Sequence, residues 1–246
     1  MEIAKVKEPA RKNKTPVINE LAPRLPARIA IVGASGSGKT NMALDLIERY
    51  LPWHNLLIYA RHLDSPAYQA LREKIERREE KLKRPISIWE DSLSNVVPLE
   101  ELNPSNTTVA VFDDFITSKD QTPIIDYFIR GRHRGVTPVY ISQSYYDIPK
   151  IIRGQLSHVC IYRGYSGHDV IGLWKDHGSG MRRDEFERFL RDATRRPYGF
   201  AVIDNNPVLP ELRWRVGWDQ LVIPDDDEQT HDAPAPTLKK KATPAS

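Results

Sequence analysis

The sequence predicts an α/β fold whose parallel-core sheet is sandwiched between helices. Three observations predict it. Short β-branched runs alternate with longer amphipathic segments, the signature of strands joined by helical crossovers. A glycine-rich turn separates the first such run from the first helical pattern, and a later apolar run ends in two adjacent carboxylates.

Seven runs read as strands: Arg28–Val32, Asn55–Tyr59, Ile86–Trp89, Thr108–Phe112, Pro138–Ser142, His158–Tyr162 and Gly199–Ile203. Their near-continuous apolar character fits strands covered on both faces. A helical pattern, Asn41–Tyr50, follows the first strand. Ala67–Arg84 is dense in Arg, Glu and Lys, with Leu71, Ile75 and Leu82 recurring, which predicts a surface helix laced with i,i+4 charge pairs. Arg182–Arg195 carries Phe186, Phe189 and Leu190 on one side, predicting a helix that packs them on the core. No internal repeat is visible.

A chain of 246 residues, 40% of them hydrophobic, is long enough for one such domain with ragged ends. Residues 1–26 are rich in Pro, Lys and Arg and read as a flexible basic arm carrying Lys5, Lys7, Arg11, Lys12 and Lys14. The ordered domain is expected over 27–223. A disordered tail, 224–246, opens on Asp225, Asp226, Asp227 and Glu228. The formal net charge of +3 permits contact with nucleic acid without establishing it. No apolar run approaches the roughly 18–20 residues of a membrane-spanning helix. The amino terminus lacks the apolar stretch of a secretory signal. The single Cys160, between apolar neighbours, reads as a small core residue. An intracellular chain without a membrane span is expected, and the seven histidines and one cysteine show no zinc-ligand spacing.

The glycine-rich turn is Gly33-Ala34-Ser35-Gly36-Ser37-Gly38-Lys39-Thr40, a G-x-x-x-x-G-K-T run between a strand and a helix, which is the context that marks a Walker A motif. Its backbone N–H groups, with the helix N-terminus behind them, form a cradle for phosphate. Lys39 is expected to reach the β- and γ-phosphates of ATP and the Thr40 hydroxyl to ligate Mg²⁺. The run Thr107–Asp114 ends in Asp113 and Asp114, and strand ends of a parallel sheet face the ligand. Asp113 is the candidate for the Mg²⁺ shell and Asp114 for polarising the attacking water; a helix N-cap is the plainer alternative for Asp114. The following strand ends in Gln143, a candidate sensor of the γ-phosphate or lytic water, unless it is a surface glutamine in a turn. An acidic strand followed by one with a polar tip points to a P-loop NTPase fold of the RecA/ASCE-like kind.

With these residues in place, the chain resembles the FtsK–HerA superfamily of DNA-pumping ATPases, and within it the A32-like genome-packaging ATPases of double-stranded DNA viruses. Three blocks carry the resemblance: Gly33–Thr40, Val109–Asp114 and Phe128–Arg153. The third holds a G-R-H element, a strand, S-Q-S-Y, D-x-P-K and a closing arginine. The likeness covers roughly residues 28–205 and leaves out both ends.

The resemblance implies an ATPase that self-associates into a ring, acts on double-stranded DNA without reading its sequence, and docks on a capsid vertex protein. It also implies an intracellular site of action, in the host cytoplasm or at the site of viral assembly, with virion association as a further possibility. Each ATP site in such rings is completed by an arginine from the neighbour, and Arg132, Arg134 and Arg153 are the candidates here, the first two preferred. Loops near Lys150–Arg153, Arg163–Lys175 and Arg182–Arg183 are candidates for lining a DNA channel. A HerA-type helicase or plasmid-transfer ATPase stays open as an alternative. So does a small-molecule kinase with Arg182–Arg196 as its lid. An assembly factor with a degenerate P-loop is opposed by the intact Lys39, Thr40 and Asp113.

Overall fold

The computed structural model describes residues 21–118 and 120–224. Lys5, Lys7, Arg11, Lys12 and Lys14 of the expected arm and the acidic start of the expected tail lie outside the described residues. Among the described residues, nine strands form one sheet. They are β1 (Ile29–Val32), β2 (Asn55–Ala60), β3 (Ser87–Glu90), β4 (Thr108–Asp113), β5 (Val136–Ser142), β6 (His158–Tyr162), β7 (Phe200–Asp204), β8 (Trp214–Val216) and β9 (Gln220–Leu221), in the order β3-β2-β4-β5-β1-β6-β7-β8-β9.

From β3 to β6 every pairing is parallel; from β6 onward the pairings are antiparallel. The parallel core agrees with the sequence. The antiparallel edge lies outside that core, and β8 and β9 were not foreseen. They are three and two residues long, too short for a period-two pattern to stand out.

The helices are α1 (Lys39–Arg49), α2 (Pro66–Leu82), α3 (Thr122–Arg130), α4 (Lys150–Arg153), α5 (Gly167–His177) and α6 (Arg183–Ala193). Alternation along each strand builds two cores. Ile29 and Ile31 of β1, with Val109 and Val111 of β4, meet Met42, Leu46 and Ile47 of α1 and Tyr68, Leu71 and Ile75 of α2. Ala30 and Val32, with Ala110 and Phe112, face the other way and share a core with Phe128 of α3, Ile152 of α4, Leu173 of α5, and Phe186 and Leu190 of α6. Cys160 lies fully buried in the first of these cores, its thiol pushed up to about 12 by burial, so it is an inert packing residue.

Along α2 the expected charge pairs are present, Arg72 to Glu76 at 3.3 Å and Arg77 to Glu73 at 3.7 Å. Leu82, expected among its apolar contacts, is instead 46% exposed in the last turn. Two stretches expected as channel loops are helical: Lys150–Arg153 is α4, and most of 163–175 belongs to α5. Two glycines, Gly167 and Gly172, lower the helix propensity of α5 and hid it. A local device offsets them. Ser166 accepts from the Asp169 N–H while the Asp169 carboxylate accepts from the Ser166 N–H, a reciprocal capping box.

The carboxyl end of α5 closes a buried polar network. The Asn205 amide donates to Nδ1 of His177 at 3.0 Å, Nε2 of His177 lies 2.8 Å from the Tyr145 hydroxyl, and that hydroxyl donates to Asp176 at 2.7 Å. This order leaves His177 neutral, with its proton on Nε2. Burial lowers its pKa to about 4, from 6.5. Between these values the unfolded chain holds the extra proton, so stability falls as pH drops through that window. The expected loss from His177 alone is about 2 kcal/mol between roughly pH 7.5 and 5. Urea unfolding of the protein and of His177→Gln at both pH values checks it. Equal acid sensitivity in the two proteins would count against a neutral, buried histidine.

Candidate functional site

The strand order decides the site. β5 lies between β1 and β4, so the turn after β1, the tip of β5 and the acidic end of β4 emerge side by side at the carboxyl edge of the sheet. The Gly33 N–H donates to the Ser142 carbonyl on β5 at 3.2 Å, and the Ala34 N–H to the Arg163 carbonyl beyond β6 at 3.1 Å. The loop is thus tied to both neighbours of β1. Gly33 admits no side chain, because a Cβ there would lie 2.5 Å from the Cβ of Tyr162. Gly38, at φ 100, turns the chain into α1 and leaves the first N–H groups of that helix pointing into the turn.

Lys39 is buried, and its ammonium donates to the Ala34 carbonyl at 2.8 Å, curled within the loop. Burial lowers its pKa, with Asp113 and Asp114 pulling the other way. The Thr40 hydroxyl donates to Oδ2 of Asp113 at 3.2 Å, and the Tyr68 hydroxyl donates to the same oxygen at 2.7 Å. Burial raises the Asp113 pKa against the lowering effect of these two donors. Asp114 takes a left-handed backbone, φ 62, and its carboxylate lies 3.9 Å from Nε2 of His62. Asp114 does not cap a helix: the next one, α3, begins only at Thr122 and has Gln121 at its N-cap.

These groups line one cavity of about 380 Å³, which takes in Lys39, Thr40, Asp113, Asp114 and Gln143. Gln143 is exposed into it at the tip of β5. Its loop is held from behind. One Asp169 oxygen accepts from the Ser144 hydroxyl at 2.7 Å and the Tyr145 N–H at 2.9 Å, while the other serves the capping box. Burial would raise the Asp169 pKa, but the donors from Ser166, Ser144 and Tyr146 outweigh it and hold the carboxylate below its ordinary value.

The three candidate arginines are not in this cavity. Arg132 and Arg134 sit in the turn Gly131–Arg134 before β5, at the opposite end of a seven-residue strand and so about 20 Å away. Arg153 is on α4, with its guanidinium 5.1 and 4.8 Å from the ring centroids of Tyr145 and Tyr146 and 3.4 Å from Asp176. Among the lining residues missed in the sequence are Arg61, His62, Tyr68 and Tyr198. For the first two a signal existed, since they directly follow a parallel strand next to β4. Tyr68 comes from a helix that reads as a charged surface element, and Tyr198 from a turn far along the chain.

A phosphate cradle between β1 and α1, a carboxylate at the tip of β4 tied to Thr40 and a polar tip on the intervening strand define a P-loop NTPase fold. The family described as Poxvirus A32 protein matches residues 19–177, and the chain belongs to that family. No curated protein matches the chain. Among solved structures it is similar to the genome packaging NTPase B204 from Sulfolobus turreted icosahedral virus 2 in complex with AMP, at TM-score 0.54 and 15% identity over 78% of this chain and 98% of that one. The same protein in complex with ATP-gammaS gives TM-score 0.52 and 16% identity over 75% and 98%. B204 from Sulfolobus turreted icosahedral virus, described as a DNA-packaging ATPase, gives 0.54 and 15% over 78% and 97%. At these identities the likeness is one of fold.

Asp169→Asn turns an acceptor into an amide that must face the Ser166 or Tyr145 N–H. The substitution is expected to cost about 1–3 kcal/mol and to speed amide hydrogen exchange at Ser144, Tyr145 and Tyr146. Unchanged exchange there, with the protein folded, would show that Asp169 does not hold the Gln143 loop.

Proposed function

We propose that the protein is an ATPase that drives double-stranded DNA into a preformed viral capsid, working as a ring with Mg²⁺. The observation that carries the reading is the convergence of Lys39, Thr40, Asp113, Asp114 and Gln143 on one cavity, in a chain of the Poxvirus A32 family. The fold neighbours described as packaging enzymes, solved with ATP-gammaS and AMPPCP, support the same substrate class.

The loop from Gly33 to Thr40 binds the triphosphate through its backbone N–H groups and Lys39, whose ammonium leaves the Ala34 carbonyl for the β- and γ-oxygens. Thr40 and Asp113 would hold Mg²⁺. Their donor set fits a hard cation that takes one carboxylate, one hydroxyl and otherwise phosphate and water, and no group of three acidic, histidine or cysteine ligands occurs among the described residues. When bound, that ion neutralises charge on the phosphates. Asp114, half-exposed and held in a fixed backbone turn, accepts hydrogen bonds from the attacking water, and Gln143 orients it or senses the γ-phosphate.

A cation for the transferring phosphoryl comes from a neighbouring subunit. Arg132 and Arg134, in the turn that follows α3, are the preferred candidates for this role; Arg153 lies on α4 against Tyr145, Tyr146 and Asp176. DNA is gripped through its phosphates rather than its bases. A basic arm over 1–26 and a tail over 224–246 flank the ATPase domain at 27–223 in this reading. A capsid vertex protein receives the motor, inside the infected cell or on the virion. No helix among the described residues is long and apolar enough to cross a membrane.

Steady-state ATP hydrolysis by the purified protein, with and without double-stranded DNA and across protein concentration, tests the reading. Turnover should rise with both. Lys39→Ala should lose it by at least about 100-fold. Hydrolysis indifferent to DNA under assembling conditions but stimulated by a small acceptor would instead favour a kinase. Arg132→Ala or Arg134→Ala should lower kcat by about a thousandfold or more, and adding the Lys39→Ala chain, which brings an intact arginine, should restore part of it. Failure of both mixtures to complement would remove the finger in trans from these two positions.

A further inference from the structure

Behind the glycine-rich turn lies a second cavity of about 280 Å³, lined by Ser35, Ser37, Tyr162, Arg163, Arg196 and Tyr198 among others. It adjoins the first, and Ser35, Gly36 and Tyr198 line both. Tyr198 joins them physically. A Cβ on Gly38 would lie 3.2 Å from its ring, so the ring sits against the backbone at the start of α1.

Nothing in the packing of the described residues accounts for this tyrosine. It is 72% exposed, yet its backbone is left-handed, φ 59, a conformation that disfavours a bulky side chain. The turn is tight, with the Gly199 N–H bonded to the Arg196 carbonyl at 2.9 Å. An exposed aromatic ring held in an unfavourable backbone state beside a phosphate cradle has the form of a preorganised ligand contact.

We infer that the Tyr198 ring is the stacking platform for the nucleobase, and that the second cavity does not select adenine over guanine. This rests on the reading of the first cavity as the triphosphate site. A triphosphate held by Lys39 and Thr40 leaves its nucleoside beside Gly38, where the ring waits. Stacking is indifferent to base identity because every base has a π-face, and it favours the larger purines. The side chains of the second cavity include no Asn, Gln, Asp or Glu, the types that read adenine or cytosine through paired hydrogen bonds. Arg163 and Arg196 donate only: N7 of either purine can accept, and guanine adds O6 as a second acceptor where adenine presents an N6 donor, so the cavity gives adenine no advantage.

The test is equilibrium binding of ATP, GTP, CTP and inorganic tripolyphosphate to the full chain with Mg²⁺, comparing the protein with Tyr198→Gly, Tyr198→Phe and Lys39→Ala. Glycine removes the ring and suits the backbone angle, so the variant keeps its fold. Tyr198→Gly should weaken ATP and GTP by about 5- to 100-fold and leave tripolyphosphate unchanged, whereas Tyr198→Phe should bind all four as the parent does. The parent should bind GTP at least as well as ATP, with CTP weaker than both. If Tyr198→Gly binds ATP as well as the parent while tripolyphosphate still depends on Lys39, the platform is refuted and the triphosphate site stands. A preference for ATP over GTP beyond about 100-fold refutes the shared purine cavity, since it requires paired hydrogen bonds. If tripolyphosphate binding ignores Lys39→Ala, the triphosphate site itself is wrong and this inference falls with it.

Discussion

One hydrogen bond carries the geometry of the site: Thr40 to Asp113, reaching from the first turn of α1 past the tip of β5 to the end of β4. β1 and β4 are not neighbours in the sheet, and β5 between them sets their separation. The two halves of the nucleotide site meet only because that strand places them at the same edge in register, with Asp113 beside Ile141 and Ile31 beside the same residue on the other side. Tyr68 completes the tie from α2. A carboxylate this buried is stable as an acceptor only with such donors, so the cavity and the packing of α2 are one construction.

Behind the cavity the polar groups continue without a break. Asp169 fixes the loop that carries Gln143, Arg153 lies over the two tyrosines of that loop, and Tyr145 passes into the Asp176 and His177 network at the end of α5. Asn205, just beyond β7, closes the network against the antiparallel edge. In the proposed role of Gln143, its displacement would push on groups that are already bonded to α4, α5 and the far strands. Networks of this kind have few intermediate arrangements, because breaking one buried bond leaves its partners unpaired.

Much of this was legible in the chain. The glycine-rich turn announces itself because the chemistry of phosphate binding needs consecutive residues, and a local requirement leaves a local pattern. The same holds for the longer strands, whose apolar runs report burial directly in all but the edge strand β3, where Ile88 is exposed, and for the charge-paired helix α2. Where local signals were weak the reading failed. α5 starts on a glycine and contains another, so only its capping box betrays it, and β8 and β9 are short strands fixed by pairing, β8 onto β7 and β9 onto β8. Leu82 matched the apolar spacing of α2 but falls in its last turn, beyond the reach of the sheet.

The sequence by itself determined the class of fold, the glycine-rich turn at Gly33–Thr40 and the acidic and amide strand tips at Asp113, Asp114 and Gln143, because each depends on residue types at fixed short spacing. Only the tertiary structure decided which distant groups join them. Tyr68 reaches Asp113, Asp169 anchors the Gln143 loop, Tyr198 lies against Gly38, and Arg153 turns into its own chain while Arg132 and Arg134 stay at the far end of β5. The physical reason is the strand order. Neighbours in this sheet are far apart in the chain, and side chains that meet across such crossovers share no spacing that the linear sequence can display.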